Sequence, residues 1–367
     1  MNTGVEIEVL VIGGGVVGLA TARALAEAGH EVLLVERHAR FGTETTSRNS
    51  GVIHAGLYYP TDSRKARTCV AGRRALYAFA EAHGVAHQRT GKLVIATDPE
   101  EDEALEALAE RAHANGVEEL AWRSSAWLAE HEPSLRGIRA LDVGVSGIID
   151  AHGLVGALAR SARDHGADLA TSVPVTGLEA GPHGWSVRAG DETIRARLVV
   201  NAAGHGADRI AALAGIDPDA RGWRLHPWKG SYFALAASAP KPRRPLVYPL
   251  PTRGGLGVHL TRDLAGQTLA GPDACLARGP DDLDVDPDRA AAFAASVQRY
   301  LPAIREEHLR PGYVGLRPKL RADGGFADFV LEEDPPQMVH LLGIESPGLT
   351  AALALADEVV TLVDARR

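Results

Sequence analysis

The chain of 367 residues contains two cysteines, Cys69 and Cys275, far apart and in no C-x-x-C arrangement. That scarcity excludes a disulfide framework, argues against a structural zinc site and suits a reducing cytoplasm. Excess positive charge is also missing: 47 acidic residues face 39 basic ones, giving a formal net charge of -8. A nucleic-acid partner needs a clustered basic surface and is not expected. Lysine occurs only at 65, 92, 229, 241 and 319, a bias that reads first as genomic composition. No stretch approaches the roughly 18 uncharged apolar residues of a membrane-spanning helix. The first apolar run, Val9–Ile12, is short and follows acidic residues, unlike a signal peptide. A cytoplasmic location is expected, and peripheral membrane contact stays open. His83 and His87 have a metal-like spacing, but Gly84 and Val85 lie between them and no third ligand is apparent, so no metal is expected.

What is present points to nucleotide chemistry. An apolar fraction of 45% over this length suits two joined α/β domains with a large core. Residues 7–12 are a continuous aliphatic run, the pattern of a parallel strand buried on both faces. Gly13–Gly18 form a turn, Val17–Ala28 repeat apolar residues at helical spacing, and Glu31–Val35 form the next strand. Gly13, Gly15 and Gly18 fit G-x-G-x-x-G. The first allows a tight turn, the second close approach of backbone to a pyrophosphate, and the third close packing of helix on strand. Glu36 ends the second strand, where a carboxylate can accept from ribose hydroxyls and would repel a 2′-phosphate. These residues specify a dinucleotide other than NADP and leave NAD and FAD open.

Two further segments favour FAD. TETTSRNSGVIHAGLYYP at 43–60 offers Thr45, Thr46, Ser47, Arg48, Asn49, Ser50 and Gly51 as a hydroxyl-rich backbone strand along a flavin. GIESPGLTAALALADEV puts a second Gly-rich turn at a second helix start, whose N–H groups can face a flavin carbonyl as negative charge develops.

Elsewhere, the pattern predicts a helix over Lys65–His83, a strand at GKLVIAT and a solvated helix over 100–116. It predicts a helix over 147–166 with Asp150 near its start, strands at 177–187 and 192–200, and a strand-rich region over 223–271. A helix over 288–300, a strand at MVHLLGI and a terminal helix from Thr350 complete the series. The fold class is therefore α/β, an interleaved two-domain flavoprotein. A Rossmann-like FAD-binding domain with a parallel sheet takes 1–80, 146–215 and 306–367. An α+β substrate domain with a mainly antiparallel sheet takes 81–145 and 216–305.

The stretch RNSGVIHAGLYY at 48–59 resembles the L-2-hydroxyglutarate dehydrogenase/oxidase family, a branch of the D-amino-acid-oxidase-like superfamily of FAD enzymes. Collinear matches are NAAG at 201–204, PWKGSYFAL at 227–235, YPLP at 248–251 and GVHLTR at 257–262. GPDA at 271–274, GLRPKL at 315–320, DFV at 328–330 and GIESPGLT at 343–350 extend them along the whole chain. The resemblance implies oxidation of a C–H bond next to oxygen, with hydride passing to flavin N5. A small carboxylate, most simply L-2-hydroxyglutarate, would be the substrate. A quinone, a carrier protein or oxygen would accept the electrons. Cofactor contacts are then expected from Val16, Val17, Arg37, Val173, Ala202, Ala203, Gly204, Gly315 and Arg317. Glu345, Ser346, Pro347, Gly348, Leu349 and Thr350 would join them at the far turn.

Oxidising a 2-hydroxy acid asks the protein for a base and a cation. His54 is the first candidate base, His259 the second, because imidazole can take a proton near neutral pH. Covalent attachment of the flavin through His54 is a further option. Arg317 is the candidate carboxylate anchor, since a guanidinium pairs bidentately with a carboxylate. Tyr58, Lys229, Tyr232, Tyr248, Thr261 and Lys319 are candidate contacts to a distal carboxylate. Three alternatives remain open at this point: a glycine/sarcosine-type amine oxidase, a glycerol-3-phosphate enzyme, and a non-catalytic FAD-binding subunit.

Overall fold

The structure, a computed structural model, describes residues 5–251 and 257–366. The aliphatic run forms strand Val5–Ile12, which pairs in parallel with Val32–Val35 on one side and Glu192–Asn201 on the other. Asp168–Ala170 and Met338–Leu342 extend the parallel sheet at its two flanks. Five parallel strands are thus drawn from the beginning, middle and end of the chain. Helices Val16–Glu27 and Gly348–Asp364 pack on this sheet and on each other. Their core contains Leu19, Leu25, Leu34, Val200 and Leu355, all fully buried. Burying each such side chain contributes about 2 kcal/mol.

Several boundaries differ from the sequence reading. Gly147–Ile149 is a strand, and the helix starts only at Ala151, because Asp150 caps it by accepting from the His152 amide. The run 177–187 is not one strand but a hairpin, Val175–Gly181 and Gly184–Ala189. Gly184 turns it at φ 137°, where a Cβ would lie 2.2 Å from the Ala196 carbonyl oxygen.

The second sheet is nine-stranded and mainly antiparallel. At its centre His226–Leu235, Thr268–Gly271, His259–Arg262 and Leu246–Pro249 are neighbours. One parallel junction joins Leu246–Pro249 to Leu93–Ala96, beyond which lie Arg139–Val143 and Leu120–Ser124. Strand Leu309–Lys319 runs antiparallel along His226–Leu235. It therefore belongs to this sheet and not, as position in the chain suggested, to the nucleotide-binding block. Chain order alone does not reveal which edge a strand will find.

A three-stranded sheet joins Val52–Ile53 to Gly147–Ile149 and His87–Gln88. It fixes the chain just before His54. Among the described residues no helix is long and apolar enough to cross a membrane.

Candidate active site

A cavity of about 820 Å³ opens between the parallel sheet and the nine-stranded sheet. At one end it is lined by Gly15, Val16 and Val17. Gly13 (φ 112°) and Gly18 lie just behind them and must be glycine. A Cβ would meet the Ala202 carbonyl oxygen at 2.4 Å from Gly13, and the Gly13 carbonyl oxygen at 1.9 Å from Gly18. No side chain caps helix Val16–Glu27, so its first-turn amides stay open toward the cavity apart from Val16, which donates to Thr46 Oγ1 (3.1 Å). Glu36, buried behind the turn, accepts from the Gly14 and His38 amides (2.7 and 2.8 Å). Val173 donates its amide to the Glu36 carbonyl (2.8 Å), and Arg37 pairs with Glu44. These three flank the turn outside the cavity lining.

The loop after the second strand forms one wall. Thr45, Arg48, Asn49 and Ser50 line the cavity, as do Ala202, Gly204 and Gly315. Thr45 Oγ1 and Arg48 Nη1 donate to the carbonyls of Leu316 and Val314. Gly315 is required there, since a Cβ would lie 2.4 Å from the Arg48 carbonyl oxygen. Ser47 and Gly51 support the loop instead: Ser47 Oγ donates to the Thr43 carbonyl, and Gly51 (φ 65°) accepts no Cβ beside the Ile149 carbonyl. Ala203, whose amide donates to Asn201 Oδ1, is likewise supporting.

Glu345, Ser346, Pro347, Gly348 and Leu349 line the cavity at the amino end of helix Gly348–Asp364, which also carries no side-chain cap. Thr350 is fully buried behind them, and its Oγ1 accepts from the His54 amide (3.0 Å). Cys69 Sγ approaches the His54 carbonyl at 3.6 Å, and His54 Nε2 lies 3.3 Å from Ser346 Oγ. His54 is thereby held at the junction of the loop and the second helix start.

The remaining wall comes from the nine-stranded sheet. His259, Tyr248, Tyr232 and Arg317 line it, and Tyr58 joins them from the loop after Ile53. The His259 ring stacks on Tyr248 (3.8 Å, 13°), and its Nδ1 meets the Gly257 carbonyl at 3.2 Å. Burial, and then the nearby Lys92, hold His54 well below the usual imidazole value. Burial, and then Lys92, push His259 down to about 3, against an opposing pull from the Gly257 carbonyl that exceeds the further push from Arg317. Both rings are neutral at physiological pH. Ser50 and Arg317 approach the Tyr232 hydroxyl, whose acidity burial weakens. Arg317 has no acidic partner among the described residues.

Two candidates are elsewhere. Lys229 Nζ is turned to Asp282 Oδ1 and the Asp284 carbonyl (both 2.6 Å) and does not line the cavity. Thr261, on the strand of His259, is buried and likewise not in the lining. Lys319 is in place but occupied, bonded to the Gly324 carbonyl (2.8 Å) and 3.5 Å from Glu345.

Sequence reasoning passed over Lys65 and Lys92. Lys65 lines the cavity, pairs with Glu345 at 2.8 Å and is almost fully buried. Lys92 lies behind Tyr58 and Tyr248. A signal existed. In a chain that uses arginine almost everywhere, three of the five lysines, 65, 92 and 229, are buried. An ammonium survives such a bias where a compact charge in a tight space is useful.

Two uncapped helix starts at one cavity suit a dinucleotide with an anionic pyrophosphate and an electron-accepting ring. With glycines that admit no Cβ at the turn and at Gly315, the residues present fit FAD, and the fold is that of a flavin-dependent oxidoreductase. Residues 8–362 match the FAD dependent oxidoreductase (DAO) family, and the chain belongs to it. A relative from Arabidopsis thaliana named mitochondrial L-2-hydroxyglutarate dehydrogenase is 36% identical over 96% of this chain and 83% of its own. One of the same name from Escherichia coli K12, without the mitochondrial label, is 30% identical, covering 96% and 92%. Among solved structures, L-alpha-glycerophosphate oxidase from Mycoplasma pneumoniae with FAD bound superposes with a TM-score of 0.88 at 28% identity, covering 98% and 95%.

Proposed function

We propose that this chain oxidises a small 2-hydroxy dicarboxylate, L-2-hydroxyglutarate, to the 2-oxo acid. One observation carries the reading: two imidazoles kept unprotonated share a cavity with a guanidinium that has no acidic partner among the described residues. The named function of the relatives supports it. FAD, when bound, supplies the acceptor for hydride leaving the substrate carbon. The chain does the rest. Arg317 grips a carboxylate in a bidentate pair, and Tyr232 steadies that grip. His54 takes the hydroxyl proton at Nε2, the nitrogen on the Ser346 side, while its Nδ1 is sealed from solvent. His259 donates from Nδ1 to the Gly257 carbonyl, which leaves Nε2 as a second proton acceptor. Electrons then leave to a quinone, a carrier protein or oxygen, and a quinone route brings peripheral contact with a membrane.

The likeness to a glycerophosphate oxidase favours a second reading, oxidation of glycerol 3-phosphate. Anaerobic titration of the yellow protein decides. Bleaching by L-2-hydroxyglutarate and not by glycerol 3-phosphate supports the first reading; the reverse supports the second. Bleaching by sarcosine or a D-amino acid alone overturns both.

A further inference from the structure

Alternation along 92–96 sends Lys92, Val94 and Ala96 to one face, into the apolar cluster of Val52, Leu57, Val143 and Tyr248. Lys92 is fully buried, and its Nζ has no hydrogen-bond partner among the described residues. Its nearest company is aromatic: the ammonium lies 4.1 Å from the Tyr248 ring centre and 5.5 Å from that of Tyr58. His259 stacks on Tyr248 at 3.8 Å. The ammonium and the imidazole thus both lie against the one phenol ring. Asp142, on the neighbouring strand, points to the opposite face with Leu93 and is held by Arg123 and Arg244. The ionisable groups facing Lys92 are therefore His54 and Tyr58 from the loop, Cys69 from helix Arg64–Ala82, and Tyr248 and His259 from the sheet. Arg73, on that helix, is turned to Glu118.

Burying an ammonium with only π partners is costly, and an apolar residue of the same length would remove the cost. What it supplies is a positive charge behind the wall that carries both imidazoles. We propose that Lys92 is a positioning residue: its ammonium, acting through the Tyr58 and Tyr248 wall, adds to burial in disfavouring protonation of His54 and His259. Three basic groups share one dry region, and the most basic keeps the proton while the others stay neutral. Burial brings Lys92 down to about 7, still above the two histidines.

Only the kinetic consequence rests on the function proposed above; the proton distribution does not. The test is Lys92→Met in the FAD-loaded protein, with the histidine rings followed by NMR across pH. Both imidazole pKa values should rise by about one unit, flavin content staying constant. The acid limb of the kcat/KM profile should move up with them. Unchanged imidazole titrations in a folded, flavin-loaded variant overturn the proposal. If the imidazoles move while no 2-hydroxy acid is turned over, the proposal stands and the assigned reaction fails. Should Lys92→Met not fold, the wild-type protein decides, because five lysines give a resolvable carbon-labelled spectrum. A Lys92 signal that remains protonated while the histidines titrate supports the proposal. One that loses its proton below them overturns it.

Discussion

At the glycine turn the molecule presents main chain, whereas at the opposite end of the cavity it presents side chains set in a nearly dry wall. Gly13, Gly15 and Gly18 contribute by what they omit, leaving open amides at a helix start. His54, His259 and Arg317 contribute by what surrounds them: Ser346, Thr350, Cys69, Tyr248 and Lys92 come from distant segments. At Gly13 and Gly18 the first kind of site has no room for an added carbon. The second tolerates added atoms better than altered charge.

The largest effect should therefore come from one methyl group at the turn. Gly18→Ala puts a carbon against the Gly13 carbonyl and costs about 3 kcal/mol. The variant should purify largely without its visible flavin absorbance, and a flavin-replete variant with normal thermal midpoint would show that the turn is looser than described. At the other end, His54→Gln should keep its flavin and lose about 10²–10⁴ in kcat, read by anaerobic stopped-flow reduction. Full turnover would assign the base elsewhere. Arg317→Met should lower kcat/KM roughly tenfold to a hundredfold, mainly through KM. Arg317→Lys should recover part of this, because a point charge lacks the planar fork; equal loss in both variants would argue against carboxylate anchoring.

The smallest effect is on stability. His259 is neutral when folded and holds a proton only near pH 3, whereas the unfolded ring takes one up near pH 6.5. The folded state thus binds fewer protons between these values, and stability is lost as pH falls through about 6.5. At pH 5 the loss amounts to about 2 kcal/mol relative to pH 8. Denaturant midpoints across pH should show this slope, and His259→Gln should reduce it. An unchanged slope in that variant would mean that other groups govern it.

The fold was readable where pattern is local and misread where pairing is distant. Val5–Ile12, its turn and its helix followed from periodicity within thirty residues. The terminal helix was expected from Thr350 and starts at Gly348. Strand Leu309–Lys319 reads as a strand in isolation, but nothing in it names His226–Leu235 as its neighbour. Lys229 reads in the sequence as a candidate contact to a distal carboxylate, while its partner Asp282 lies 53 residues further on. Lys92 sits in an ordinary strand motif and shows its isolation only once Tyr58 and Tyr248 close over it.

By itself, the sequence determined that a dinucleotide is held and that the chain has α/β architecture with two interleaved halves. Glycine spacing, caps and aliphatic runs act within a few residues, so no partner segment is needed to read them. Only the tertiary structure decided which histidines are neutral, which cations are already paired and which wall Lys92 charges. Desolvation and Coulomb interaction depend on distance in space, and folding sets that distance by bringing together residues from all along the chain.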